Sequence, residues 1–202
     1  MQKWYIIRHG ETEFNRLNIV QGCGVDTDLN DKGLMQADAF FDAYKDFPFD
    51  HVYTSALKRS YQSVRKFIEK GIAHSSLQAL NEISWGDFEG KLQSEEQKEI
   101  YREIVRQWNE GMYDAKIPNG ESAHELRERQ MVAVHQILQQ NQSENILICM
   151  HGRAMKSFIC LLLGEPPSKM EEFQHTNLGL YLLGYDGEKF MLLKRNDTDH
   201  LY

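Results

Sequence analysis

Apolar residues fall in two rhythms along this chain. Short continuous runs, Trp4-Tyr5-Ile6-Ile7 and Ile146-Leu147-Ile148-Cys149-Met150, read as strands buried on both faces. Elsewhere apolar positions recur at helical spacing. Leu34, Ala37, Phe41 and Tyr44 predict a helix over about 31–45 with Asn30 as its cap, and Leu57, Tyr61, Val64 and Ile68 predict another capped by Ser55. Ile100, Ile104, Trp108 and Met112 mark a helix within 93–112. Leu126, Ala133, Val134, Ile137 and Leu138 mark one from Glu121 or Ser122 to about Gln140, and 153–163 is apolar almost throughout. Pro118-Asn119-Gly120 and Pro166-Pro167 are breaks. The expected strands are 3–8, 50–54, a short one within 77–83, 145–150, and a hairpin of 178–185 with 189–194 across Asp186-Gly187. Strands alternating with helices predict an α/β fold: a three-layer α/β/α sandwich around a mainly parallel sheet. No repeat or linker interrupts residues 1–202, so one domain is expected.

Composition narrows the possibilities. A net charge of −7 argues against a general nucleic-acid partner, because phosphate backbones are bound by basic surfaces. A small anion remains compatible, since a local Arg/His cluster focuses positive potential within an acidic protein. The three cysteines, Cys23, Cys149 and Cys160, form no CxxC pair, and the latter two read as reduced, buried thiols. No leader-like segment precedes the first strand, and no apolar run approaches the ~20 residues of a membrane span, so a cytoplasmic protein is expected. Monomer and homodimer both remain open; the C-terminal hairpin offers an edge strand for pairing.

The candidate chemistry sits at the ends of the strands. Twice an apolar strand ends in His-Gly, at Ile7-Arg8-His9-Gly10 and at Met150-His151-Gly152. Ligands of open α/β sheets bind beyond the carboxyl ends of strands, so His9 and His151 can face one pocket. Arg59 follows a third strand in Ser55-Ala56-Leu57-Lys58-Arg59, at a helix start where an arginine fork suits phosphate. Glu82, in Asn81-Glu82-Ile83-Ser84-Trp85-Gly86-Asp87-Phe88-Glu89-Gly90, is a carboxylate ahead of a glycine- and aromatic-rich turn. There a partly apolar pocket could raise its pKa enough for general acid work. Asp87 and Glu89 read as serving the turn.

Taken together these strings resemble the histidine phosphatase superfamily, the phosphoglycerate-mutase-like fold. Arg8-His9-Gly10-Glu11-Thr12 with Asn15 resembles its opening signature. Ser55-x-Leu57-x-Arg59 with Gln62 resembles its second motif, and Leu80-Asn81-Glu82 with Gly86-x-x-Glu89-Gly90 its third. His151-Gly152 is similar to its last motif, and Gly120-Glu121-Ser122 with Arg127 and Arg129 to a further landmark. The resemblance implies a metal- and cofactor-independent phosphatase for small phosphate monoesters. His9 would be the nucleophile forming a phosphohistidine, and Arg8, Arg59 and a protonated His151 would neutralise the phosphoryl oxygens. Asn15 would add a hydrogen bond, and Glu82 would be general acid and then base. Gly10 would leave room for phosphate and orient His9 through its carbonyl. Gly152 and the Gln21-Gly22 loop would complete substrate binding, and 91–117 would be a helical, lid-like insertion in a single catalytic domain.

Other chemistries fit less well. No Cys is followed six positions later by Arg, as cysteine phosphatases require. Asp26-Thr27-Asp28 follows a glycine loop rather than a strand, unlike haloacid-dehalogenase-type phosphatases. No metal-ligand His spacing, P-loop or GxSxG elbow is present. His51, His74, His135, His175 and His200 read as surface or hydrogen-bonded residues, and His124, after Gly120-Glu121-Ser122, is the exception. Within the family, a 2,3-bisphosphoglycerate-dependent phosphoglycerate mutase is the alternative, and an inert phosphate-binding relative a distant third. Residues 91–117 lack adjacent arginines for a second acidic group, and Thr12 with the Trp85–Gly90 turn resembles the phosphatase branch. The loop Gly22–Leu29 departs from the family's commoner pattern by lacking its Trp and Pro. Arg153 reads either as a substrate contact or as complementing acidic surface charge, the second being preferred.

Overall fold

The sheet has six strands in the order β3-β2-β4-β1-β5-β6. In this computed structural model, which describes residues 1–140 and 143–202, the strands are β1 (Gln2–Arg8), β2 (His51–Thr54), β3 (Ala73–Ser76), β4 (Asn145–Met150), β5 (Leu180–Tyr185) and β6 (Phe190–Asp197). The first four run parallel, and the hairpin β5–β6 adds two antiparallel strands at one side. The helices are α1 (Glu13–Arg16), α2 (Asp31–Tyr44), α3 (Lys58–Glu69), α4 (Glu95–Asn109), α5 (Ala123–Gln140) and α6 (Gly152–Leu162). No helix among the described residues is long and apolar enough to cross a membrane.

Alternation along β1 explains the layers. Tyr5 and Ile7 point to one face, where Phe40 of α2 and Val64 and Phe67 of α3 pack with Val52, Leu147 and Cys149. Trp4 and Ile6 point to the other, against Leu126, Ala133 and Ile137 of α5, Ala154 and Phe158 of α6, and Ile104 and Trp108 of α4. The chain is thus an α/β/α sandwich, and β1 and β4 at its centre are apolar on both faces, as their sequences required.

Several elements differ from the sequence reading. The third strand is Ala73–Ser76, while Gln78–Leu80 is a 3-10 turn. β3 is an edge strand of polar, half-exposed residues, whereas Leu80 and Ile83 are apolar because an irregular segment drops them into the core. Ser55 does not cap α3: Leu57 holds the N-cap position without a side-chain bond, and Asp26 Oδ1 accepts the Lys58 N–H at 2.8 Å. The buried face of α3 is Arg59, Ser60, Ser63, Val64 and Phe67, leaving Tyr61 outside, because polar side chains make up most of that face. Leu34, Ile100 and Met112 are likewise exposed. Asn30 does cap α2, accepting from Gly33 N at 2.8 Å.

Candidate active site

Register brings the reactive residues together. Arg8 pairs with Met150, so the next residues, His9 and His151, leave the sheet side by side. Thr54 pairs with Cys149, which sets Ser55 next to them. The two imidazoles lie 5.1 Å apart between ring centroids. His9, Arg59, Glu82 and His151 are all buried, and Arg8 is half-buried.

The hydrogen bonds settle both tautomers. A carbonyl only accepts, so His9 Nδ1 carries the proton it donates to Gly10 O at 2.6 Å, leaving Nε2 with a free lone pair. Burial first, then the charges of Arg59 and Arg8, hold the His9 pKa well below its ordinary range, so the ring is neutral. Arg59 only donates, so His151 Nδ1 accepts from Arg59 Nε at 3.2 Å, and Nε2–H donates to Ser55 Oγ at 2.7 Å. Ser55 Oγ in turn lies 2.7 Å from Ser60 Oγ, which donates to Leu57 O at 2.8 Å, so the chain of donors is complete. His151 is therefore neutral, its pKa driven down by burial and by Arg59. The family resemblance implied a protonated His151; without a bound anion, burial and the Arg59 charge favour the neutral ring.

Each Arg59 nitrogen has one partner, Nη1 donating to Val25 O at 2.6 Å and Nη2 to Gly22 O at 3.2 Å, and each Nη carries a second N–H. Arg8 is less fully bonded. Its Nη1 reaches His175 Nδ1 at 3.2 Å, while its Nε is buried without a partner. Burial brings the Arg8 pKa down to about 10, against the pull of the Glu82 charge, so it stays a cation at neutral pH. A buried, unsatisfied N–H on an arginine calls for an acceptor.

Glu82 lies at the start of α6. Oε1 accepts from Ala154 N at 2.7 Å and Ile83 N at 2.9 Å, and Oε2 from Arg153 N at 3.1 Å. The expected apolar pocket is instead a cradle of backbone donors. Arg129, bidentate to Glu121 at 2.6 and 2.9 Å, also donates to the carbonyls of Ala79, Asn81 and Glu82 and fixes this segment. Glu89 accepts from Trp85 N and Gly24 N, both at 2.8 Å, so it ties the glycine loop to the Glu82 turn. A Cβ on Gly22 would overlap that carboxylate. Gln21 donates to Thr12 Oγ1 and accepts from Thr27 Oγ1, holding the loop's entry. Asn15 uses Oδ1 on Thr12 N in a capping box, and Gly152 opens α6 against His175 and Arg8.

Three contributors were missed. His175 bonds Arg8, and burial with the Arg8 charge takes its pKa to about 3. Asn177 Nδ2 donates to His9 O at 2.8 Å. Leu178, at φ 58°, donates its N–H to Arg8 O at 2.9 Å. The signal was the hairpin: β5 runs against β1, so the residues before β5 lie at the carboxyl end of β1. Ser55, read as a cap, spends its hydroxyl on His151. Conversely, His124 is exposed and faces Asp114 at 3.0 Å, outside the site. Gly10 also allows a close approach to α2, where a Cβ would strike Gly33 O at 2.6 Å. A 560 Å³ cavity shares Asn81, Ser84 and Arg129 with the Glu82 segment but is not lined by His9, Arg8, Arg59 or His151. Reactive groups locate the site better than volume does.

Residues 4–198 match the family model of the histidine phosphatase superfamily, branch 1. The chain belongs to the histidine phosphatase superfamily. It is 28% identical to phosphoserine phosphatase 1 of Hydrogenobacter thermophilus over 100% of this chain and 95% of that protein. It is 31% identical to phosphoglycerate mutase-like protein 4 of Arabidopsis thaliana, over 97% and 85%. A solved structure of the phosphoserine phosphatase of Entamoeba histolytica, in complex with 3-phosphoglyceric acid, superposes with a TM-score of 0.86 at 27% identity, covering both chains completely. The chain is a histidine phosphatase in fold and in the class of its chemistry, phosphoric monoester hydrolysis.

Proposed function

We propose that this histidine phosphatase hydrolyses small phosphate monoesters through a phosphohistidine on His9. One combination carries the reading: His9 keeps a free Nε2, and Arg8, which precedes it in the chain and whose charge acts on its ring, keeps a buried Nε–H without a partner. The phosphoryl group binds against Arg8 and Arg59, with Asn15 as a further donor, and the two guanidinium charges stabilise the transferring oxygens. His9 Nε2 attacks phosphorus as the bond to the substrate oxygen breaks, and Glu82 gives its proton to the departing alkoxide. Oε2, which accepts a single bond, is the oxygen with room to carry that proton. Water then attacks the phosphohistidine, the P–N bond breaks, and Glu82 takes the water proton. His151 works through Arg59, as a neutral acceptor that fixes its Nε. Gln21 and Gly22 hold the loop whose carbonyls orient Arg59, and Gly152 brings α6 close to Arg8. Residues 1–202 act as one catalytic domain, with 91–117 as its lid-like insertion.

A mutase would need further cations facing the site from 91–117. Lys98, Arg102 and Arg106 instead pair with Glu95, Glu99 and Glu103 on the exposed face of α4, and Lys116 pairs with Glu125. Phosphoserine and 3-phosphoglycerate, named with the relatives, head the substrates to be tried. The test is phosphate release from these, from sugar phosphates and from p-nitrophenyl phosphate. Rapid-quench of the unaltered enzyme should trap an acid-labile, base-stable phosphoryl label. In His9→Ala the label should vanish and turnover fall by about three orders of magnitude or more. Full turnover in His9→Ala would overturn the mechanism.

A further inference from the structure

Arg153, the second residue of α6, departs from the surface role its charge suggested. Its side chain is 8% exposed. The guanidinium lies 5.8 Å from the Tyr101 ring and 5.7 Å from the Trp108 ring, both on the inner face of α4. Nη2 donates to the Tyr101 hydroxyl, and Nη1 pairs with Glu171 in the 3-10 turn Pro167–Glu172. Its backbone N–H holds Glu82 Oε2 at 3.1 Å. Trp85, three residues after Glu82, meets the same two rings, Tyr101 at 5.3 Å and Trp108 at 6.3 Å between centroids.

Glu82 is thus joined to α4 by two independent routes, one through Trp85 and one through Arg153. We propose that the Arg153 side chain is a positioning residue: it locks α4 onto the first turn of α6 and so fixes where the Glu82 carboxyl stands for proton transfer. The choice of residue supports this. A buried cation gains little stability over an apolar side chain of similar volume, so packing alone gives no reason for arginine. What the planar fork adds is direction, with one edge on the Tyr101 hydroxyl, another on Glu171 and its central carbon 5.7 Å from the Trp108 ring. Lys156 also pairs with Glu171, at 2.9 Å, so that carboxylate keeps a partner when Arg153 is replaced. Misplacing a proton donor by a fraction of a hydrogen-bond length harms departure of a basic alkoxide and leaves a stable phenolate almost untouched.

The inference rests on the phosphatase reading, and its test separates the two. kcat/KM, which reports steps up to leaving-group departure, is measured for p-nitrophenyl phosphate and for an alkyl phosphate, glycerol phosphate or phosphoserine. In Arg153→Met the ratio of the first to the second should rise about tenfold or more, with the thermal transition near that of the unaltered enzyme. Tyr101→Phe, which removes one bond to the fork and keeps the ring, should raise the ratio by about threefold. General loosening would lower both substrates in proportion. A ratio within about twofold of the unaltered enzyme in Tyr101→Phe, and in whichever of Arg153→Met and Glu171→Gln folds, overturns this inference alone. No phosphate released by the unaltered enzyme from any ester overturns the phosphatase reading beneath it.

Discussion

At the scale of single residues, reactivity here is set by who donates to whom. Two chemically identical histidines are given opposite tautomers, His9 by a carbonyl acceptor and His151 by an arginine donor. Ser55 is the residue that lets His151 keep its arrangement, so Ser55→Ala leaves a buried Nε2–H without an acceptor. That change should cost about 1–3 kcal/mol in chemical denaturation. Turnover should fall about tenfold, as for other orienting partners of reactive groups. Activity and urea unfolding of the purified variant check both. The strand-end residues Arg8, His9 and His151 were legible because a short apolar run ending in His-Gly is uncommon twice in one chain. Ser55 was visible but misassigned, since a serine ahead of a helix has a commoner use as a cap. His175 and Asn177 lie beyond any local signal, because their place is decided by the antiparallel pairing of β5 on β1. Arg153 misled for the opposite reason: charge suggests surface, and only three-dimensional packing reveals the aromatic slot that accepts it.

Among the elements, close approach matters as much as propensity. Gly33 of α2 lies against the segment leaving β1, and a Cβ added there would overlap the carbonyl of Glu11. Backbone cannot yield as a side-chain tip can, so Gly33→Ala should destabilise by about 1–3 kcal/mol despite alanine's better helix propensity. The midpoint of thermal or urea unfolding measures it, and an unchanged or raised midpoint would contradict the packing described. The five longer helices were legible in extent from their apolar spacing, whereas the one-turn α1, which buries no residue, was not. Their faces were less so: α3 buries Arg59, Ser60 and Ser63, polar groups spent on the site and its neighbours, and a reading that follows apolar residues rotates the helix away from them. β3 was hidden because an edge strand of Ala73-His74-Ser75-Ser76 has no buried face to advertise. Exposed pairs along α4 support its solvent face and contribute little each.

For the molecule as a whole, the buried histidines make stability depend on pH. His9, His151 and His175 all have pKa values below the ordinary 6.5. Between 6.5 and their native values the unfolded chain binds protons that the native state refuses. Their contribution is therefore complete above pH 6.5 and is lost as pH falls below it. Urea midpoints measured from about pH 8 to pH 5 should decline through the lower half of that range, and a flat profile would show that these rings are not held neutral. The α/β/α architecture was readable from the alternation of strands and helices, whereas strand order was not, since nothing local states which strands are neighbours. That order carries a consequence for synthesis. β1 and β2 never pair with each other; β4, Asn145–Met150, is inserted between them. A nascent chain still on the ribosome with its first 140 residues made already carries Arg8, His9, Arg59 and Glu82, yet the strand that sets them side by side has not been translated. Competence to transfer a phosphoryl group therefore arrives late and all at once, with the keystone strand.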